Sequence, residues 1–127
     1  MGPIHLFNVA SRANHWLSVR QSTIAENVAN ANTPGFKAQD VKPFADVLDN
    51  MTLGMAATRP DHVSYAPAGF ARAEATPAEG ATEILHSGNT VSLEKEMARA
   101  GEVNRAFALN TNIVKAFHRM LMTSTKG

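Results

Sequence analysis

Five histidines, His5, His15, His62, His86 and His118, are the side chains best suited to bind a metal or carry a proton near neutral pH. No two of them stand at the i, i+4 spacing that puts a pair of imidazoles on one helical face, and none sits beside a second clustered ligand. Glu94 and Glu96 are the nearest approach to a general acid and base. Two residues apart on a helix, they point to different sides, so helix capping and solvation are their expected roles. The sequence has no Gly-rich phosphate loop, no Gly-x-Ser-x-Gly elbow and no dinucleotide fingerprint. Cysteine is absent, which removes thiol nucleophiles, disulfides and cysteine metal sites while leaving the redox compartment open. These residues predict no catalytic site, no metal and no cofactor.

The elements that would position such residues are better defined than the residues' chemistry. Small and apolar side chains recur in three-four steps from about His5 to Ala31: Phe7, Ala10, Asn14, Leu17, Gln21, Ile24, Val28, Ala31. No Pro or Gly interrupts them, so a long helix with a heptad-like stripe is expected. Asn14 and Gln21 fall on the stripe, where polar residues weaken packing but fix register between helices. The stripe suits either a specific partner helix or an amphipathic helix lying on its own core.

Asn30 to Asn32 should end this helix, since Asn tolerates a left-handed cap and Pro34 cannot continue it. Thr33-Pro34-Gly35-Phe36 reads as a type II turn, with Pro presetting the first central position and Gly supplying positive φ at the second. Phe36 then leaves the turn placed to pack back on the helix. A short amphipathic helix is expected from Pro43 to Leu53, presenting Phe44, Val47, Leu48 and Met51 on one face. Between Gly54 and Gly88 the Pro and Gly content argues for an irregular, partner-ordered insert, with short strands at most near His62–Tyr65 or Glu83–Leu85.

A second long helix is expected from Ser92, a fitting N-cap, to about Thr123. Its stripe runs Glu96, Ala100, Val103, Phe107, Asn110, Val114, Phe117, Leu121. Some 30 residues make a helix about 45 Å long. The middle of the chain is too small to cover it, so the stripe must pair with the N-terminal helix or with other subunits. Trp16 beside Leu17 is expected as a packing or interface anchor. Met97, Met120 and Met122 would fill gaps on a helix face or form an adaptable binding surface.

At 127 residues one domain is the default. Charge is nearly balanced, with 12 Lys and Arg against 11 Asp and Glu, and no basic cluster marks a nucleic-acid surface. Residues 1–20 lack the apolar centre of a cleavable signal peptide, and no apolar run reaches the roughly 18–20 residues that span a bilayer. The expected location is the cytoplasm, or outside it by a route needing no Sec-type signal.

The segment Ile24-Ala25-Glu26-Asn27-Val28-Ala29-Asn30-Ala31-Asn32-Thr33-Pro34-Gly35-Phe36-Lys37-Ala38, followed by Asp40 and Phe44, resembles the N-terminal signature of bacterial flagellar rod and hook axial proteins. The C-terminal helix, with apolar heptads broken by Asn, is similar to their C-terminal element. The short length resembles the proximal rod members, as do the uninterrupted turn and Gly88-Asn89-Thr90-Val91 before the last helix.

This resemblance implies a mostly α fold: two long terminal helices packing in a coiled-coil-like way around a short helix and an irregular middle. It divides the chain into an axial helix and turn at 1–38, a variable middle at 39–89 and a second axial helix at 90–127. It implies a structural, non-enzymatic rod subunit that transmits torque, is exported uncleaved by the flagellar type III apparatus and resides in the periplasmic rod. Its partners would be copies of itself, other rod proteins, the basal-body adaptor protein, the membrane ring and the export gate, with no nucleic acid or small-molecule substrate. The expected assembly interface is Phe7, Leu17, Ile24, Val28, Val103, Phe107, Val114, Phe117 and Leu121. The turn motif is Asn27, Asn30, Asn32, Thr33, Pro34, Gly35 and Phe36, in which the Asn residues would satisfy backbone groups. The rival from another class is a cytoplasmic helical adaptor or regulator working through the same stripes.

Overall fold

The uninterrupted helical periodicity at both ends of the chain becomes two long helices, α1 (Pro3–Ala29) and α3 (Leu93–Ser124). Between them lie β1 (Gln39–Val41), α2 (Phe44–Asp49) and β2 (Ala75–Pro77). The computed structural model describes residues 3–49, 75–77 and 86–125. The strands expected at 62–65 and 83–85, and the end of the short helix beyond residue 49, lie outside the described residues.

The two helices run antiparallel. Asn27 meets Glu96 at one end and Phe7 meets Phe117 at the other, with Asn14 and Asn110 between. Leu17, Ile24 and Val103 form the buried apolar cluster, and Trp16 and Ala100 pack against it. The architecture is mostly α, with the terminal helices packed on each other as expected.

Helix α1 is buried on two sides rather than one. Ala10, Leu17 and Ile24 lie on the side toward α3. Trp16, Arg20, Thr23 and Asn27, stepping by four, three and four, lie along the side toward the returning chain. This second face redirects the stripe read from the sequence. Gln21 and Val28 are exposed, while Thr23 and Asn27 are buried, because β1 covers their side of the helix.

The turn has the expected geometry: Phe36 N–H donates to the Thr33 carbonyl and Gly35 has φ +74°. A side chain at Gly35 would meet open space, so its requirement for Gly is conformational. The β1–β2 pair is antiparallel, with Asp40 opposite Thr76, and was not foreseen. Pro77 fits the end of a two-stranded ladder, where a missing N–H costs little.

Candidate assembly site

The end of the hairpin where the turn lies is closed by polar side chains. Asn27, with no exposed surface, acts on Gln39 as a strand would. Its Nδ2 donates to the Gln39 carbonyl at 2.7 Å, and its Oδ1 accepts from the Gln39 N–H at 2.9 Å. The same Nδ2 reaches Glu96 Oε2 at 3.2 Å. Glu96 is only 1% exposed, and its other oxygen accepts from Arg99 at 2.9 Å. Its expected role in capping and solvation is therefore corrected: the carboxylate is buried and satisfied by Asn27 and Arg99. Arg99 also lies 3.7 Å from Asp40, which Arg20 engages from α1 at 3.2 Å. Arg20 in turn covers the Trp16 ring, whose Nε1 donates to the Lys42 carbonyl at 2.8 Å.

Asn89 completes the closed end. It is 1% exposed, and its Nδ2 faces the carbonyls of Asn30, Ala31 and Thr33 at 2.8–2.9 Å. These carbonyls lie just past the last residue of α1, and those of Asn30 and Thr33 also accept from the Thr33 and Phe36 N–H groups. Its Oδ1 accepts from Val91 N–H. Gly35 N–H to Ser87, Thr90 N–H to Phe36 and Ala38 N–H to Thr90 Oγ1 stitch the two chain segments together. Ser92 takes the N-cap position of α3 without a side-chain capping bond.

The other end is held more thinly. Asn110 Nδ2 donates to Asn14 Oδ1 at 2.6 Å and to the Ala10 carbonyl at 2.9 Å. The Phe7 and Phe117 rings meet edge to face at 5.7 Å between centroids. Beyond Val103 no described residue of α3 is buried. Polar seam residues here serve the chain's own helix pair, since Asn14 answers Asn110.

The residues expected at an assembly interface thus divide. Leu17, Ile24 and Val103 are in the intrachain core. Phe7, Val114, Phe117 and Leu121 are half-buried. Val28 and Phe107 are exposed, Phe107 to 49%. Of the turn motif, Asn27 is buried, Asn30 and Phe36 are half-buried, and Asn32, Thr33, Pro34 and Gly35 are exposed. Asn30 donates to the Glu26 carbonyl and accepts from Thr33 Oγ1.

Sequence reasoning missed Asn89 as the donor to the carbonyls that follow α1 and missed a second face of α3. Leu109, Ile113 and Met120 are exposed large hydrophobics, and steps of four and seven keep them on one side. Their spacing was available in the sequence, but the stronger stripe through Val103 and Phe117 overshadowed it. Among the described residues no group of His, Asp and Glu is gathered for a metal, and no helix is long and apolar enough to cross a membrane.

Comparison with known proteins identifies the family of the sequence that folds in this way. Residues 7–37 match the family model for flagella basal body rod protein. A flagellar basal body rod protein FlgB of Agrobacterium fabrum is 43% identical over 99% of this chain and 96% of its own length. The FlgB protein of Bacillus subtilis is 31% identical over 77% of this chain and 72% of its own. That of Buchnera aphidicola is 29% identical over 72% of this chain and 71% of its own. The chain belongs to the FlgB-type flagellar basal body rod proteins, structural components of the bacterial flagellum.

Proposed function

We propose that this subunit builds the proximal rod, joining the membrane ring and export gate to the rest of the axial structure and carrying torque through its paired helices. One observation carries the reading: a long helix pair leaves Phe107, Leu109, Ile113 and Met120 exposed along α3, a surface that needs neighbours. The partners that fit are copies of itself, other rod proteins, the basal-body adaptor, the ring and the gate. The three-part division at residues 38 and 89 belongs to the same reading, with the terminal parts axial and the middle variable. Export by the flagellar type III apparatus without cleavage belongs to the same reading.

The test is deletion followed by complementation. Loss of the chain should abolish motility and leave basal bodies without rods, and Ile113→Asp should do the same at normal export and steady-state level. Mass spectrometry of isolated basal bodies should find the native N-terminal region retained. Intact rods in the deletion strain would sink the reading.

A further inference from the structure

One carboxylate stands where three elements meet. Asp40 lies at the centre of β1, and guanidinium groups reach it from both long helices. Arg20 of α1 brings Nε to 3.2 Å from Oδ1 and Nη2 to 3.5 Å from Oδ2. Arg99 of α3 brings Nη2 to 3.7 Å from the same Oδ2. The three side chains are 21–23% exposed, so salt and water screen the cluster only in part. Two guanidinium groups this close repel each other, and the carboxylate between them turns the repulsion into a bridge. A second bridge of the same span runs beside it. Asn27 of α1 holds both backbone groups of Gln39 and donates to Glu96 of α3, and Glu96 accepts from Arg99.

The stretch held by these bridges has little stability of its own. β1 has three residues and pairs with a strand of three. α2 has six, well below the roughly 12–15 that an isolated helix needs in water. Their order comes from docking on α1. There Trp16 Nε1 donates to the Lys42 carbonyl, and the Trp16 ring lies 5.8 Å from that of Phe44. β1 and α2 together form a strap with two states, docked and free. Three of its anchors, Trp16, Arg20 and Asn27, belong to α1, whereas Arg99 belongs to α3.

We propose that Asp40 is a latch through which α3 controls the strap. β1 and α2 stay docked on α1 while the first turns of α3 are seated, and movement of those turns releases them. Withdrawal of α3 takes one cation from Asp40 and, with Glu96, the acceptor that helps aim the Asn27 amide at Gln39. Arg99 is thus a positioning residue for a segment it reaches only through Asp40 and Glu96. Linkage makes the effect reciprocal, so a docked strap favours the seated α3 by the same factor. An event at the start of α3 is therefore felt at Lys42 and Phe44, on the other buried side of α1. The latch is a property of the single chain and goes beyond the assembly reading without depending on it.

Hydrogen exchange followed by NMR on the full chain tests this. The single tryptophan gives one indole N–H resonance, and its bond to the Lys42 carbonyl makes it a reporter of the docked strap. The Gln39 N–H, bonded to Asn27, reports β1. Asp40→Asn removes the latch from the strap. Arg99→Lys removes it from α3 while keeping a cation for Glu96, since an ammonium lacks the planar fork that spans two carboxylates. Each variant should speed exchange at both reporters by about fivefold, the upper range for a partly exposed ion pair. The amides of Leu17 and Ile24, within α1, should keep the parent's protection. The double variant should exchange no faster than the faster single one, because both act through one contact. Asn110→Ala, which loosens the other, open end of the hairpin, should leave both reporters unchanged. Reporters as slow in Arg99→Lys as in the parent overturn the latch, as does a double variant whose acceleration is the product of the two singles. Equal acceleration at Leu17 and Ile24 also overturns it, since that marks a general loss of stability. Reporters already unprotected in the parent overturn it as well, by showing that no strap is docked.

Discussion

The closed and open ends of this hairpin solve the same problem, holding α1 against α3, with different chemistry. At the closed end Asn27, Asn89 and Glu96 are buried deeper than any apolar residue among those described, and each has its partners named by geometry. At the open end half-buried Phe7 and Phe117 and one Asn–Asn pair do the work. Apolar contacts are non-directional and tolerate small slides, whereas a buried amide must meet its acceptor or remain unsatisfied. The closed end is therefore built to be unique and the open end to be adjustable. Local opening should follow this order, so amides near Ile24 and Val103 should exchange more slowly than those near Phe7 and Phe117. Equal protection at both ends would erase the contrast.

Substitutions sharpen the comparison, beginning with the largest effect. Asn89→Ala removes the donor to the Ala31 carbonyl and the acceptor for the Val91 N–H, and takes one of two donors from the Asn30 and Thr33 carbonyls. Each buried group left unmade costs about 1–3 kcal/mol, so for two such groups a loss of about 4 kcal/mol is expected in urea unfolding. Ile24→Ala removes packing from the apolar cluster and should cost about 3 kcal/mol by the same measurement. Asn110→Ala leaves the open end with one fewer tie and should cost about 1 kcal/mol, with exchange accelerating near Asn14 and not near Asn27. Phe107→Ala touches a half-exposed ring and should change the isolated chain by under about 1 kcal/mol while impairing rod assembly. A result in which Asn110→Ala outweighs Asn89→Ala would falsify the division into a specified and an adjustable end.

Much of this contrast was hidden from the sequence for physical reasons. Helices α1 and α3 and the Thr33–Phe36 turn are encoded locally, by periodicity and by Pro and Gly at fixed offsets, and were legible. The burial of Glu96 depends on Asn27, 69 residues away, and no local pattern distinguishes it from a solvated first-turn carboxylate. Three-residue strands carry too few alternations to announce themselves, which is why β1 and β2 were missed. Val28 looked like a seam residue because the stripe assumed a single buried side, whereas β1 gives α1 a second one. The candidate interface was legible only as a set of apolar positions; its division into intrachain core and exposed surface required the fold.

The stitching of Gly35 to Ser87 and of Phe36 to Thr90 brings the chain back to where it left. The chain thus leaves after β1 and re-enters at residue 86 through two mouths held side by side. For a flexible loop, doubling its length adds only about 0.6 kcal/mol of closure entropy. Extra sequence could therefore be spliced between those mouths, even a whole additional module, without altering how α1 meets α3. The closed end acts as a fixed socket, and the length of what is plugged into it is uncoupled from the contact between the two helices.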